Sequence, residues 1–218
     1  MVDTPSPSKS RRPDRVSRRL VLAGLVAAPA LPVQARTAPV ITLLGDSITA
    51  GYGLPAAAAL PAQLQAELVR RGRQVVVRGA GVSGDTTGGG LARLDFSVQP
   101  DTRVCVVALG GNDLLRGIDP STTQANLTGI VSRLKARKMA VVLAAIRAPR
   151  AAGAGYARAF DSAFTTVARE QGVTLAPDML SGVAGVAALN QKDGIHPNAQ
   201  GVKIVARNLA PAVLKALG

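Results

Sequence analysis

The chain has very few aromatic residues, one cysteine and one histidine. Trp is absent and aromatic residues make up 2% of the sequence, so Ala, Val and Leu must fill the core. A single cysteine excludes an internal disulfide, and Cys105 in the apolar run RVCVVALG is expected to be a buried hydrophobic residue. One histidine, one cysteine and few clustered acids leave too few good ligands for a metal site.

Acidic residues are also scarce, with 13 against 26 basic residues and a net charge of +13. This excess favours contact with anionic surfaces or substrates. The basic residues are scattered and the aromatic residues that stack on bases are nearly absent, so we expect no nucleic-acid partner. The positive charge is compatible with weak contact with an anionic membrane surface.

The first 35 residues are typical of an export signal. In SRRLVLAGLVAAPALPVQA, paired arginines resembling a twin-arginine signal precede a short apolar run and a small-residue cleavage site at Val33–Ala35. The run is shorter than the roughly 20 residues of a spanning helix. We therefore expect residues 1–35 to be removed and residues 36–218 to form one domain, exported to the periplasm or medium; an uncleaved N-terminal anchor is the alternative.

Apolar runs and helical segments alternate along residues 36–218. The predicted strands are Val40–Leu44, Gln74–Arg78, Arg103–Leu109, Met139–Ile146 and a short fifth strand in VTLAP. The predicted helices are Ala62–Arg71, Thr87–Ser97, Ser121–Arg137 capped by Ser121 or Thr122, Gly155–Gln171, and a last helix capped by Asn198 that ends near Leu217. This alternation predicts an α/β fold, with a five-stranded parallel sheet covered by helices on both faces.

Polar residues follow the predicted strands where sites form in such folds, at the carboxyl ends. Ser47, in GDSITAGYG, follows the first strand and can expose its hydroxyl at a helix start, although an ordinary helix cap is the simpler interpretation. Asn112, in GGNDLLRG, follows the third strand and can donate to a developing oxyanion, or simply occupy a turn.

The glycines Gly79, Gly81 and Gly84 match the G-x-G-x-x-G pattern of dinucleotide-binding loops. The acid expected about 20 residues later is absent, since Val104 stands at that spacing. The alternative is that Gly84 brings a bare backbone N–H close to a ligand.

The only histidine lies in DGIHPN, three residues after Asp193. In a compact turn that carboxylate can reach the His196 ring, and Pro197 disfavours helical geometry at His196. Ser47, His196, Asp193 and the oxyanion donors together form the set that nucleophilic acyl transfer needs. A surface turn is the competing interpretation.

Four stretches in order resemble the SGNH/GDSL hydrolases, within them the bacterial thioesterase I, lysophospholipase L1 and arylesterase group: ITLLGDSITAGYG, GVSGDTTGGGLARL, VVALGGNDLLRG and DGIHPN. The resemblance implies a flavodoxin-like three-layer α/β/α sandwich and no cofactor. It implies Ser47 as the nucleophile, His196 as the base and Asp193 as its partner. The implied oxyanion donors are the N–H groups of Ser47 and Gly84 and the side-chain amide of Asn112.

The function expected from these residues is that of a secreted serine esterase acting on small-molecule esters, thioesters or lysophospholipids as a monomer. A carbohydrate O-deacetylase is the alternative enzyme, and a non-catalytic binder of anionic lipid or polysaccharide is the alternative class. Candidates for an apolar acyl pocket are Leu114, Leu115, Ile146 and Ile195.

Overall fold

Strands and helices alternate in the computed structural model, which describes residues 1–4 and 38–218. The strands are β1 (Val40–Gly45), β2 (Val76–Gly81), β3 (Thr102–Ala108), β4 (Ala140–Ala144) and β5 (Thr174–Ala176). The helices are α1 (Ser47–Ala50), α2 (Leu60–Arg70), α3 (Thr87–Ala92), α4 (Leu94–Ser97), α5 (Gly111–Leu115), α6 (Pro120–Ala136), α7 (Ala154–Gln171) and α8 (Ala199–Leu217). Nearly all of the predicted export signal lies outside the described residues and stays a prediction.

The strands form one parallel sheet in the order β2-β1-β3-β4-β5. This is the flavodoxin-like order, so the expected five-stranded parallel sheet is confirmed. The chain passes from β1 to β2 on one side and then to β3 on the other. The loops after β1 and β3 therefore lead in opposite directions from the carboxyl edge of the sheet. The crevice between two such loops is where open α/β proteins bind their ligands.

Two apolar layers cover the two faces of the sheet. On one face Ile41 and Leu43 of β1 pack with residues of α2 and α8, including Leu64 and Val205. On the other face Cys105 and Val107 of β3 pack with α6 and α7, where Phe160 and Phe164 are fully buried. Since β3 is covered on both faces, its sequence is almost continuously apolar.

Several element bounds differ by one or two residues from those expected, the short helices α1 and α5 were not predicted, and three further differences stand out. β2 begins two residues later than predicted and continues through Gly81, where its glycines allow α1 and Pro61 to approach closely. The expected helix over Thr87–Ser97 is two short helices, interrupted at Arg93. Neither Ser121 nor Thr122 caps α6; Asp119 does so, accepting a hydrogen bond from the Ser121 N–H at 2.8 Å, with Pro120 at the first helical position.

In the part of the chain that the structure describes, no helix is both long enough and apolar enough to cross a membrane.

Candidate active site

Ser47 is the first residue of α1, which begins one residue after β1 ends. The turn is tight: a Cβ on Gly45 would lie 2.1 Å from Thr49 Oγ1, so only glycine fits there. Asp46 caps α1, its Oδ1 accepting from the Ile48 N–H at 3.0 Å. The Ser47 N–H thus belongs to the first turn, where N–H groups lack intrahelical partners and favour negative charge.

His196 bridges Ser47 and Asp193. Its Nε2 lies 2.9 Å from Ser47 Oγ and its Nδ1 lies 2.6 Å from Asp193 Oδ2. Hydrogen bonds from the backbone N–H of His196, its imidazole and the Ile195 N–H lower the pKa of Asp193 to about 2. An ionised carboxylate only accepts, so Nδ1–H donates to Asp193, and in the tautomer with its proton on Nδ1 the ring can accept from the Ser47 hydroxyl at Nε2.

The loop that carries His196 is held from both sides. The Gln191 N–H donates to the His196 carbonyl at 2.7 Å, and the Gln191 side chain donates to the Tyr52 carbonyl at 2.8 Å. The Tyr52 ring lies 4.6 Å, centroid to centroid, from the imidazole. Gln191 and Tyr52 were not expected from the sequence, although Tyr52 stands within GDSITAGYG and Gln191 lies just before DGIHPN.

Gly84 lies in the loop after β2, and Asn112 is the second residue of α5, which follows β3. The Asn112 Nδ2 donates to the Asp85 carbonyl at 2.9 Å, which leaves its second N–H unused by that bond. Gly84 has a φ of +81°, and among the described residues no acceptor lies within hydrogen-bond distance of its N–H. The Val82 N–H donates to the Gly45 carbonyl at 3.1 Å, which joins the Gly84 loop to the turn before Ser47.

Asp46 is a buried acid that the sequence analysis did not single out, with 4% of its surface exposed. Burial raises the pKa of Asp46 to about 6, against the lowering effect of its hydrogen bond from Ile48 and of the nearby His196. A Cβ on Gly111 would lie 3.2 Å from Asp46 Oδ2, so α5 also approaches this carboxyl closely. Titration of Asp46 changes the charge right next to Ser47.

The four expected acyl-pocket residues lie in different environments. Ile146 is buried in the core layer of α2 and α8, Leu114 packs partly buried against the other layer, and Leu115 and Ile195 are exposed. The cleft at Ser47 is shallow, with about 160 Å³ of empty space that includes the part open to solvent, and among the described residues its lining is Ser47, Ile48, Gly51, Tyr52, Leu54, His196, Pro197 and Val202. The four expected residues are absent from that lining, and their role stays a prediction.

Cys105 is buried, as expected, and burial raises the pKa of its thiol to about 12, so the thiol stays protonated. Within residues 1–4 and 38–218, His, Cys, Asp and Glu form no group of three or more that could hold a metal ion.

Comparison with known proteins gives a consistent set of relatives. The model of the GDSL-like Lipase/Acylhydrolase family matches residues 43–204. Esterase TesA of Pseudomonas aeruginosa is 39% identical over 181 residues, covering 83% of this chain and 90% of the relative. Thioesterase 1/protease 1/lysophospholipase L1 of Escherichia coli K12 is 38% identical over 169 residues, covering 77% and 80%.

A solved structure supports the same relationship. The crystal structure of TesA superposes with a TM-score of 0.77 at 36% identity, covering 82% of this chain and 99% of that chain.

Proposed function

The chain belongs to the GDSL-like lipase/acylhydrolase family and hydrolyses ester bonds, and we propose that it does so through an acyl-enzyme formed on Ser47. The observation that carries the proposal is the hydrogen-bonded chain from Ser47 Oγ through His196 to Asp193, at 2.9 Å and 2.6 Å. Ser47 and His196 lie 149 residues apart in the sequence, whereas Asp193 and His196 are 3 residues apart. Only the fold therefore brings the serine to the other two residues.

The proposed mechanism assigns a defined task to each group at each step. His196 Nε2 takes the hydroxyl proton as Ser47 Oγ attacks the carbonyl carbon, and the ionised Asp193 stabilises the imidazolium that forms. The N–H groups of Ser47 and Gly84 and the free N–H of Asn112 stabilise the oxyanion. His196 then protonates the leaving oxygen or sulfur, and in the second half it activates the water that releases the acid.

The size of the cleft favours small acyl groups. Its roughly 160 Å³ of empty space includes the part that is open to solvent, and it encloses no room even for a water molecule, so the residues that line it form no deep pocket for a long acyl chain. We propose that the enzyme prefers carboxylic esters and thioesters of short acyl chains, six carbons or fewer. The same small cleft supports the second candidate, a carbohydrate O-deacetylase, since an acetyl group is the smallest acyl group such a cleft would hold.

The setting of the reaction is a further part of the proposal. The basic residues and apolar run of residues 1–35 support export to the periplasm or medium. We propose that the exported chain acts as a monomer on small-molecule esters. Residues 36–218 keep a net charge of +9 out of the +13 of the full sequence, which supports weak contact with an anionic membrane surface.

Hydrolysis of p-nitrophenyl esters from C2 to C12 tests this function, with Ser47→Ala as the control. We expect turnover that is lost in Ser47→Ala and is fastest at C6 or below. An optimum at C8 or above would overturn the short-chain preference. Acetylated saccharides consumed faster than acetyl aryl esters would favour the deacetylase. Binding to anionic vesicles without Ser47-dependent hydrolysis would contradict the enzyme and favour a binder.

A further inference from the structure

Arg93 sits at the interruption between α3 and α4 and extends three hydrogen bonds from one guanidinium. Its Nε donates to Asp85 Oδ2 at 2.6 Å, its Nη2 to the Gly45 carbonyl at 2.9 Å and its Nη1 to Ser97 Oγ at 2.9 Å. The side chain is 19% exposed and that of Asp85 is 12% exposed, so this ion pair is largely screened from water. An ion pair this well shielded is held in one geometry more firmly than a surface pair.

The partners of Arg93 adjoin the proposed oxyanion donors. The Gly45 carbonyl precedes the Asp46–Ser47 turn by one residue, and Asp85 directly follows Gly84. The backbone carbonyl of Asp85 in turn accepts the hydrogen bond of Asn112 Nδ2 at 2.9 Å. One side chain therefore joins the loops after β1 and β2 directly, and reaches the loop after β3 through a single residue.

We propose that Arg93 is a positioning residue that sets the spacing of the three oxyanion donors. This inference rests on the proposed function of the same site. Oxyanion donors act at about 2.7–3.1 Å from the developing charge, and a misplacement of about 1 Å lowers rates about 10²-fold. The donor loop after β2 is residues 82–86, VSGDT, and Gly84 at its centre has no side chain that could hold its backbone in place. The planar guanidinium holds its N–H donors in fixed directions, and so it holds the Gly45 carbonyl and the Asp85 carboxylate at a fixed spacing.

A second arginine in a similar ion pair allows a matched control. Arg71 Nε donates to Glu67 Oε1 at 2.6 Å, and the Arg71 side chain is 30% exposed. Arg71 follows the last residue of α2, before β2 begins, and so lies toward the amino ends of the strands, opposite the site. Arg93→Met and Arg71→Met each remove an arginine from such a pair, but only the first one touches the donor loops.

Steady-state kinetics of the two variants on a p-nitrophenyl ester tests the inference. We expect Arg93→Met to lower kcat about 10–10²-fold with KM within about threefold, and Arg71→Met to leave both near wild type. Arg93→Lys keeps the positive charge but loses the planar set of N–H donors, so we expect a kcat between those of Arg93→Met and wild type. If Arg93→Met does not fold, the kinetics of Arg93→Lys test the inference in its place.

Affinity for a boronic acid separates positioning from general stability. A boronate becomes tetrahedral on Ser47 and uses the oxyanion donors, whereas the carboxylic acid product does not need them to the same degree. We expect the Arg93 variants to lose boronate affinity in proportion to kcat while affinity for the product acid stays within about twofold. Unchanged kcat in both Arg93 variants, or equal losses for boronate and acid, would overturn the inference. Wild-type turnover that persists in Ser47→Ala would instead overturn the proposed function.

Discussion

The chemistry proposed for Ser47 depends on side chains and N–H groups from four loops. The imidazole of His196 is oriented by a carboxylate whose pKa is held at about 2, so Asp193 stays ionised across any working pH. The Asp193 carboxylate also accepts the backbone N–H groups of Ile195 and His196, at 2.9 and 3.0 Å. Those bonds fix the ring together with its loop, so the base is in place before substrate arrives.

Asn112 gives the clearest prediction for a single residue. Asn112→Ala should lower kcat about 10²–10³-fold with a much smaller change in KM, because its amide is used mainly in the transition state. Asn208→Ala is the control, since Asn208 donates to the carbonyls of Met179 and Ser181 and not to the site. Steady-state kinetics on a p-nitrophenyl ester measures both; a kcat for Asn112→Ala within twofold of wild type would remove Asn112 from the mechanism.

Residues that carry chemistry could be found in the sequence more readily than residues that support them. Ser47, Asp193 and His196 stand in short stretches whose spacing already suggests contact or a strand end. Asp46 and Arg93 are recognisable only in three dimensions, since the burial of Asp46 and the partners of Arg93 depend on how separate loops meet. Charged residues are usually exposed, and nothing local in the sequence marks these two as exceptions.

At the scale of the elements, the close contact of β2 with α1 shapes the site. Gly81 pairs with Gly45 at the ends of neighbouring strands. A Cβ on Gly81 would lie 2.3 Å from the Ala50 N and 2.7 Å from the Asp46 carbonyl oxygen. Both atoms are backbone and cannot rotate away. The glycine therefore lets the helix that begins with Ser47 lie against the sheet.

Gly81→Ala should destabilise the fold by about 1–3 kcal/mol and lower activity, because α1 must shift to admit the methyl group. Gly155→Ala is the matched control: Gly155 lies in α7 with nothing within 4 Å of an added Cβ, and alanine there should stabilise by about 0.5–1 kcal/mol. Urea unfolding of the two variants measures these changes. A Gly81→Ala variant as stable as wild type would show that α1 is not closely held.

Element types were easier to predict from the sequence than element ends. The apolar runs of β1, β3 and β4 are buried on both faces, and their short length and β-branched residues identify them as strands. β2 lies at the edge of the sheet, and its glycines gave no strand signal although they pair with β1. The cap of α6 was assigned wrongly because Asp119 before Pro120 was overlooked, although that pair is itself a helix-start signal.

For the whole molecule, buried and hydrogen-bonded acids determine how stability changes with pH. The pKa of Asp46 is about 6 in the folded chain against 3.8 as its ordinary value, so between pH 4 and 6 the folded state holds the extra proton. Its contribution to stability is therefore lost as pH rises through this window. The lowered pKa of Asp193 acts with the opposite sign: its contribution is present above about pH 4 and is lost as pH falls toward 2.

Asp46→Asn should remove the first of these effects. At about 1.4 kcal/mol for each unit of pKa, the rise from 3.8 to about 6 is equivalent to about 3 kcal/mol. Asparagine can still cap α1 through its oxygen. We expect the variant to gain up to that amount over wild type at pH 7.5, and nothing at pH 4, in urea unfolding. A difference between the two proteins that does not vary with pH would contradict the assignment.

The fold class followed from the sequence because alternating apolar strands and helices leave few architectures open. The strand order came only with the resemblance to a family, since β2-β1-β3-β4-β5 depends on which connections cross over the sheet. The size of the cleft at Ser47 could not be predicted at all. It depends on how the loop that carries Tyr52 and Leu54 meets Val202 of α8 around the serine.

The most direct test of the account is covalent labelling with a p-nitrophenyl alkylphosphonate, in which the serine oxygen displaces p-nitrophenolate and leaves a tetrahedral phosphonyl adduct on the nucleophile. Intact-protein mass spectrometry and peptide mapping would locate the adduct. The account predicts one phosphonyl group, on Ser47, formed in step with the loss of esterase activity, and much slower labelling in His196→Ala. An adduct on another residue that accounts for the lost activity, or ester turnover that survives complete labelling of Ser47, would contradict it.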